Sequence, residues 1–439
     1  MNTRSASVRL TDIFKFFIPL GISASLVTMS HSIINSTLAR SANPELIISS
    51  YAIAMSVLSI TERPAVLLRQ TCSALVRDKR SYRAMNSVAT IVLGTIIVLG
   101  LLLSYTPVGH WLFTGLLNVD EELLPSVLNV YRILMVVSIF SGIRCLFHGI
   151  IIVNMRTKWL TIGMVIRLLA MYAVSQLFIQ TNSVSGGWVG AFIFAVGMIV
   201  EALVAFLEGR KLANRLPERL EDHSVQTRRD VFRFYRPLLY SGVIAIIIAP
   251  TINAMLGKTG NMQLAIASFA IAANMTQLMQ SFFSYIHQIV LNFYRKDPGQ
   301  VRRFMLLCSL LPTALLAAVG YTELGPLFLK HVIGVSDQLL DESIKAIRMF
   351  MLTTLIFPWL DYMNGQVMLN GQTKIMAWSQ AANVTITVLS LIVFVAIAPQ
   401  WNAVIGALAQ SLGVAAELGV VLFGMYQVGK LRGRVAGGL

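Results

Sequence analysis

Twelve long apolar stretches joined by short polar loops restrict this chain to a small class of folds. A helix needs about 20 residues to cross a bilayer, and the 439 residues hold twelve such helices. Apolar residues make up 56% of the chain and charged residues 13%, and a water-soluble protein could not cover that much apolar surface. We therefore predict an all-α polytopic membrane protein. Its predicted spans, numbered 1 to 12, are 12–38, 46–70, 84–106, 123–147, 157–180, 186–207, 230–255, 262–290, 302–321, 341–366, 373–397 and 402–428.

The basic residues are distributed unevenly between the two ends of these spans. The net charge is +15, which in a soluble protein would suggest nucleic-acid binding. Here most Lys and Arg residues lie in the loops that share a side with both termini, and only Arg40, Lys258, Lys330 and Lys345 lie on the other side. Because cytoplasmic loops of membrane proteins are enriched in Lys and Arg, both termini are predicted to be cytoplasmic, in a plasma (inner) membrane. We expect contact with membrane lipids and none with nucleic acid.

The two halves of the chain resemble each other. Residues 11–20 match residues 229–238, including Pro19 and Pro237, and the sixth and twelfth spans share Val189-Gly190-Ala191 and Ile405-Gly406-Ala407. The offset stays near 216–218 residues along the whole chain. Six spans per repeat is an even number, so both halves enter the membrane in the same direction. We predict an N-terminal six-helix lobe (1–208), a cytoplasmic linker (209–229) and a C-terminal six-helix lobe (230–439).

The residues that open the spans resemble a known group of transporters. The first span of each half opens with Phe-x-x-Pro-Leu, and six plus six parallel spans of this kind resemble the MOP superfamily, which includes MATE transporters and lipid-linked oligosaccharide flippases. Residues 14–22, 50–54 and 348–350 are similar to the progressive ankylosis protein group. The resemblance implies a two-lobed MATE-like transporter, and the ankylosis group further implies outward movement of small organic or inorganic anions.

Ionisable residues inside a bilayer are costly and mark pairing or function. Arg132 and Arg348 occupy equivalent places in spans 4 and 10, and Glu201 and Glu417 do so in spans 6 and 12. An acid and a base duplicated in both halves predict one structural ion pair per lobe, Arg132 with Glu201 and Arg348 with Glu417.

Charges that break the repeat point instead to a single binding site. Glu62 and Arg63 correspond to Gln280 and Ser281, and Arg167 corresponds to Asn383. Arg144 likewise corresponds to Leu360, and Asp361 corresponds to Cys145. Since guanidinium groups bind carboxylates and phosphates through two hydrogen bonds, we predict Arg63 and Arg167 as contacts of an anionic substrate. Glu62 would position them or carry a proton.

Polar residues on spans 1, 7 and 8 add to this candidate site. They recur at helical spacing and would line a substrate cavity or join helices by hydrogen bonds. These predicted substrate-binding residues are Asn35, Asn253, Gln277, Gln280, Ser284 and His287.

No motif for a metal, a cofactor or ATP hydrolysis occurs in the sequence. The cysteines, Cys72, Cys145 and Cys308, are too few and too far apart for a disulfide framework or a metal site. We therefore expect no cofactor and no catalytic residue, and predict a secondary transporter that exports a small anion by alternating access between two lobes. Alternatives are a proton- or sodium-coupled antiporter of organic cations, a flippase of a lipid-linked saccharide and, from another class, an integral-membrane lipid-modifying enzyme. The sequence leaves open whether H⁺ or Na⁺ is coupled.

Overall fold

The structure, a computed structural model, describes residues 8–117, 119–221, 223, 225–330 and 336–436, and every regular element in those ranges is helical. Twelve of these helices are long and apolar enough to cross a membrane, which confirms the predicted number. Spans 1 to 6 are Leu10–Leu38, Pro44–Thr61, Lys79–Tyr105, Leu124–Val153, Lys158–Gln180 and Gly187–Asn214, and spans 7 to 12 are Arg228–Leu256, Met262–Phe293, Pro298–Tyr321, Asp337–Leu369, Lys374–Ile397 and Ala403–Lys430.

Several spans are interrupted, and proline explains three of the interruptions. Span 2 ends at Thr61 and a new helix, Arg63–Leu75, begins with Pro64 at its second position. Span 9 breaks at Leu310 ahead of Pro312, and span 7 breaks at Ile247 ahead of Pro250. A proline ring removes a helical hydrogen bond and clashes with the preceding turn, but it fits the first turn of a new helix. The chain therefore breaks between two helices at Glu62.

The break in span 8 was not predicted, because no proline accompanies it. The helix Met262–Ser281 gives way to turns before Ile286–Phe293 begins. At the break, Phe282 packs edge-on against Phe17 with 5.5 Å between ring centroids. A Cβ added to Gly21 would lie 2.7 Å from the Phe282 ring, so this glycine allows the close approach.

The chain packs as two units. The N-unit is Ile22–Leu239, and the C-unit combines the described residues of Met1–Gly21 with those of Tyr240–Leu439. Within the C-unit, Phe14 and Phe17 pack against Phe304 with centroid distances of 5.0 and 5.1 Å. Within the N-unit, the Tyr235 hydroxyl donates to the Pro64 carbonyl at 2.9 Å. The start of span 1 therefore packs with the C-unit and the start of span 7 with the N-unit, a detail that the predicted lobe boundaries do not contain.

Matched turns in the two units follow the sequence repeat. After span 3 comes the short helix Pro107–His110, and after span 9 comes Leu324–Phe328. A Cβ on Gly109 would lie 1.8 Å from the Leu103 carbonyl oxygen, and one on Gly325 would lie 1.9 Å from that of Val319. Only glycine fits such an approach to the backbone.

The linker is hydrogen-bonded to the rest of the N-unit at the turn between the helices Arg63–Leu75 and Lys79–Tyr105. The Asp78 carboxylate caps span 3 by accepting from the Ser81 amide at 2.8 Å, and it also accepts from the Leu220 amide of the linker at 3.0 Å. The Lys79 ammonium pairs with Glu218 at 2.6 Å. Burial alone would raise the pKa of Asp78, but the hydrogen bonds from the Ser81 and Leu220 amides and the Ser81 hydroxyl hold its pKa below the usual value.

We expect Asp78→Ala to release the linker. A lost helix cap costs about 1 kcal/mol, and loss of the bond to Leu220 adds to it, so trypsin cleavage at Arg215 and Arg219 should accelerate about 5- to 30-fold. Because the folded-state pKa is lowered, the carboxylate stabilises the contact above the unfolded pKa of about 3.9. That stabilisation disappears as the pH falls through the folded-state pKa.

Asp297→Ala is the matched control for this prediction. Asp297 caps span 9 by accepting from the Gln300 amide at 3.0 Å, as Asp78 caps span 3, but it lies in the C-unit and not at the linker. Equal cleavage rates for the two variants would show that Asp78 does not hold the linker.

The predicted orientation is tested by labelling single cysteines with an impermeant thiol reagent. Exposed Ala42 lies between spans 1 and 2, and exposed Arg219 lies in the linker. We expect Ala42→Cys to react in intact cells and Arg219→Cys to react only after permeabilisation. The three native cysteines are buried and should contribute little background, and labelling of both positions from outside would contradict the orientation.

Candidate functional site

A buried carboxylate organises the interior of the N-unit. Glu201, fourteen residues into span 6, has 2% of its surface exposed. The Arg167 Nη1 donates to Glu201 Oε2 at 2.8 Å, and the Arg144 Nη1 lies 3.2 and 3.1 Å from its two oxygens. The His148 Nε2 lies 3.8 Å from Glu201 Oε1. Two guanidinium groups therefore hold one carboxylate at about 21 Å along the helix, by 1.5 Å rise per residue.

Glu62 joins this arrangement through a serine. Ser141 donates its hydroxyl to Glu62 Oε1 in a short hydrogen bond, and Arg144 Nη2 donates to the same serine oxygen at 3.3 Å. Spans 2, 4, 5 and 6 thus share one polar network, which we call the N-unit network: Glu62, Ser141, Arg144, His148, Arg167 and Glu201. The break in span 2 places Glu62 between two helices, where its side chain reaches span 4.

Arg167 is enclosed by its neighbours in this structure. It is 2% exposed, its Nη1 also lies 3.1 Å from the Met198 sulfur, and its guanidinium lies 5.1 Å from the centroid of the Phe194 ring. His31 stacks on the same ring with 5.8 Å between centroids. The Arg167 Nε has no hydrogen-bond partner in the described part of the chain. The side chain is therefore positioned by Glu201 and Phe194 and is not open to solvent here.

Arginines outnumber acids around the N-unit network. Arg69 is close enough to His148 and to Arg63 to interact electrostatically with both. Arg63 itself is exposed at the start of its helix. The members of this set are four arginines, Arg63, Arg69, Arg144 and Arg167, and two acids, Glu62 and Glu201.

The equivalent place in the C-unit has a different chemistry. Glu417, fourteen residues into span 12, accepts from the Asn383 Nδ2 at 2.6 Å, and the Thr387 hydroxyl donates to Asn383 Oδ1 at 3.2 Å. Glu417 is 8% exposed and forms no ion pair with any described residue. Asn383 stands at the repeat position of Arg167, so an amide replaces a guanidinium.

A histidine and an aspartate form a second buried pair in the C-unit. The His287 Nδ1 lies 3.0 Å from Asp361 Oδ1, and the His287 amide donates to Asp361 Oδ2 at 2.8 Å. The His287 Nε2 is buried without a partner among the described residues. Both residues were singled out in the sequence, but their pairing was not predicted because they lie 74 residues apart.

The polar residues predicted to line a cavity fall into two groups. Asn35, Asn253 and Gln277 are exposed on their helices, whereas Gln280 is 8% exposed. Ser284 donates to the Ser281 carbonyl at 2.7 Å within the break of span 8. Asn35, Asn253 and Gln277 thus lie on the surface of their units, and Gln280 is part of the C-unit interior.

The two predicted ion pairs are not formed, and the correction is the same in both units. Arg132 Nη2 donates to the Ser104 carbonyl at 3.4 Å with its guanidinium 5.0 Å from the Tyr105 ring centroid. Arg348 Nε donates to the Gly320 carbonyl at 2.8 Å, with 4.8 Å to the Tyr321 ring. Each arginine thus caps the last turn of the preceding span, where free carbonyls favour a cation. Arg144, not Arg132, pairs with Glu201. The two arginines are twelve residues apart on span 4, which is about 18 Å along the helix.

Sequence reasoning missed Ser141 and His148 as members of the N-unit network. Both stand three or four residues from Arg144 on span 4, so they share its helix face, and that spacing was the available signal. Within the described ranges, no group of three or more His, Cys, Asp or Glu side chains could hold a metal ion.

The fold is shared with solved membrane transporters at low sequence identity. A MOP superfamily transporter from Pyrococcus furiosus, described as having a binding pocket of reverse polarity that suggests a different function, superposes with a TM-score of 0.76 at 17% identity, covering 96% of each chain. A multidrug resistance MATE transporter in an outward-facing conformation gives 0.73 at 16% identity and 96% of each chain. A eukaryotic MATE transporter gives 0.73 at 14% identity, over 94% of this chain and 96% of that one.

These likenesses confirm an all-α, MATE-like fold. No protein-family model matches the chain, and no curated protein sequence matches it. The finer resemblance to the progressive ankylosis group is therefore not confirmed.

Proposed function

We propose that the chain is a secondary transporter, not an enzyme, that moves a small organic or inorganic anion by alternating access between its two units. The shared fold supports the transporter class. We further propose that it lies in the plasma membrane with both termini in the cytoplasm, which the uneven distribution of basic residues supports.

The excess of arginine in the N-unit is the observation that supports an anionic substrate. Four arginines stand against two acids around the N-unit network, whereas the repeat positions in the C-unit hold Ser281, His287, Leu360 and Asn383. A charge that only stabilised the fold would be needed in both units, because they share the same helix packing. A single substrate site needs it only once.

The residue roles follow from exposure. Arg63 is exposed, so we propose that it contacts the anion directly. Arg167 is enclosed and held by Glu201, so in this conformation it sets the position of Glu201 and Arg144, and contact with the anion would require a rearrangement. Glu62, the residue before Arg63 in the chain, belongs to the network through Ser141. Asn35, Asn253 and Gln277 are exposed polar groups that we also propose as substrate contacts. Gln280, Ser284 and His287 of the C-unit are further proposed contacts.

Two solved structures with this fold are described in terms that imply binding pockets of different polarity. The charge of the substrate is therefore the point to test. One is described as a multidrug transporter and another as having a pocket of reversed polarity. A guanidinium-rich interior favours carboxylate or phosphate groups over organic cations. The surplus of arginine in this chain therefore supports an anion rather than a cationic drug.

The purified full chain in proteoliposomes tests the proposal. Radiolabelled phosphate and citrate serve as anionic probes, and tetraphenylphosphonium serves as the cationic probe. We expect protein-dependent movement of at least one anion and none of the cation. Movement of the cation alone would contradict the proposal and favour the cation antiporter.

A further inference from the structure

The two units contain a matched carboxyl site whose neighbouring side chains differ. Glu201 and Glu417 each lie fourteen residues into the last span of their unit, and each accepts from a side chain 34 residues earlier. In both units a glycine packs against that donor. A Cβ on Gly197 would lie 3.2 Å from Arg167 Cγ, and one on Gly413 would lie 2.4 Å from Asn383 Oδ1. The backbone thus builds the same pocket twice.

The basic residues around Glu201 all have uncharged residues at the equivalent positions around Glu417. By the repeat offset of 216, Asn383 stands for Arg167, Leu360 for Arg144 and Asn364 for His148. A buried carboxylate that pairs with guanidinium groups keeps its charge, whereas one without a cation is stabilised by taking up a proton. The substitutions therefore change what the same pocket can bind.

No charged group of the neighbouring helices compensates Glu417. Its neighbours Ile248–Leu256 and Met262–Ser281 carry no titratable residue, and span 11 carries only Lys374, nine residues from Asn383. On span 10 the two nearest charges are used elsewhere, Arg348 at the Gly320 carbonyl and Asp361 at His287. The remaining charges of span 10, Asp337, Asp341, Glu342 and Lys345, lie in its first three turns.

We propose that Glu417 is a reversible proton-binding site. The Asn383 amide donates to Oε2, and its own carbonyl is occupied by the Thr387 hydroxyl, so the proton resides on the other carboxyl oxygen. Binding and release change no other bond, because the proton comes from the aqueous phase and returns to it. If the chain is the anion transporter proposed above, this proton is the ion that drives it, and Glu201 is the fixed counterpart.

Infrared difference spectroscopy of the full chain in liposomes tests proton binding without any substrate. As the pH is lowered, the wild type should gain the carbonyl stretching band of a protonated carboxylic acid, and Glu417→Gln should lack that band. Asn383→Arg restores the arrangement of the N-unit while keeping the carboxyl, and it should also lose the band. Glu208→Gln, which removes a buried carboxyl paired with Arg156 at 3.3 Å, is the control and should keep the band.

Three results would overturn the proposal. A titrating band of full size in Glu417→Gln would place the proton on another group. An unchanged band in a correctly folded Asn383→Arg would show that a neighbouring cation does not control protonation. Loss of the band on adding Na⁺ at constant pH, together with ²²Na⁺ binding that requires Glu417, would identify a sodium site instead.

Coupling is tested separately from proton binding. A pH gradient across the proteoliposome should drive phosphate or citrate through the wild type, and Glu417→Gln should lose that dependence. Absence of anion movement in every variant would contradict the proposed function, while the infrared titration would still decide the proton site.

Discussion

Replacing Glu201 with alanine should destabilise the N-unit more than any other single side-chain change in the network. The substitution leaves Arg144 and Arg167 as buried cations without their shared acid, and breaking a buried pair costs about 3–5 kcal/mol. Two guanidinium groups lose their partner at once, so we expect the upper part of that range. The measurement is the yield of monodisperse protein in detergent and its apparent melting temperature.

Glu417→Ala is the matched control, since it removes the same side chain from the same place in the other unit. Here only the Asn383 amide loses its partner, which costs about 1–3 kcal/mol, and no buried cation is created. We expect Glu417→Ala to lower the melting temperature clearly less than Glu201→Ala. Equal losses would show that the arginines do not depend on Glu201.

The architecture was predictable from the sequence because the bilayer imposes it locally. Each span can be recognised as a run of about 20 apolar residues. Pro64 and the repeated Phe-x-x-Pro-Leu segments can likewise be read directly from the sequence. The break after Ser281 was not visible, because it depends on Phe282 packing against Gly21, and these residues are distant in the chain. Local composition determines that a span exists, and tertiary packing determines where it bends.

The candidate site was only partly predictable, for the same reason. Repeat comparison separated Glu62, Arg63 and Arg167 among the charges without equivalents, and the structure connects Glu62 and Arg167 through the N-unit network. Repeat comparison could not predict that Arg132 binds a carbonyl at the end of span 3. The sequence does not contain the axial position of one helix relative to its neighbour. The duplicated arginines Arg132 and Arg348 do share one structural role, but that role is helix capping rather than an ion pair.

Two of the arginines that break the repeat, Arg63 and Arg167, should control transport more than folding. Arg63→Gln removes an exposed guanidinium from the proposed anion contact, and loss of a charged partner costs about 2 kcal/mol or more, which is about 30-fold in affinity. Arg167→Lys keeps a cation beside Glu201 while Arg144 still pairs with it, so the fold should persist. A lysine cannot reproduce the planar guanidinium over the Phe194 ring, so Glu201 and Arg144 should shift and transport should fall.

The measurement is the initial rate of phosphate or citrate movement in proteoliposomes, normalised to folded protein from size-exclusion chromatography. Arg156→Gln provides the control, because Arg156 is a half-exposed guanidinium of the same unit that pairs with Glu208 and lies outside the N-unit network. We expect wild-type rates from the control, a raised half-saturation concentration for Arg63→Gln, and a lowered maximal rate for Arg167→Lys. If both arginine variants fold and transport the anion as well as the control does, the arginine surplus serves the structure alone, and the anionic substrate loses its support.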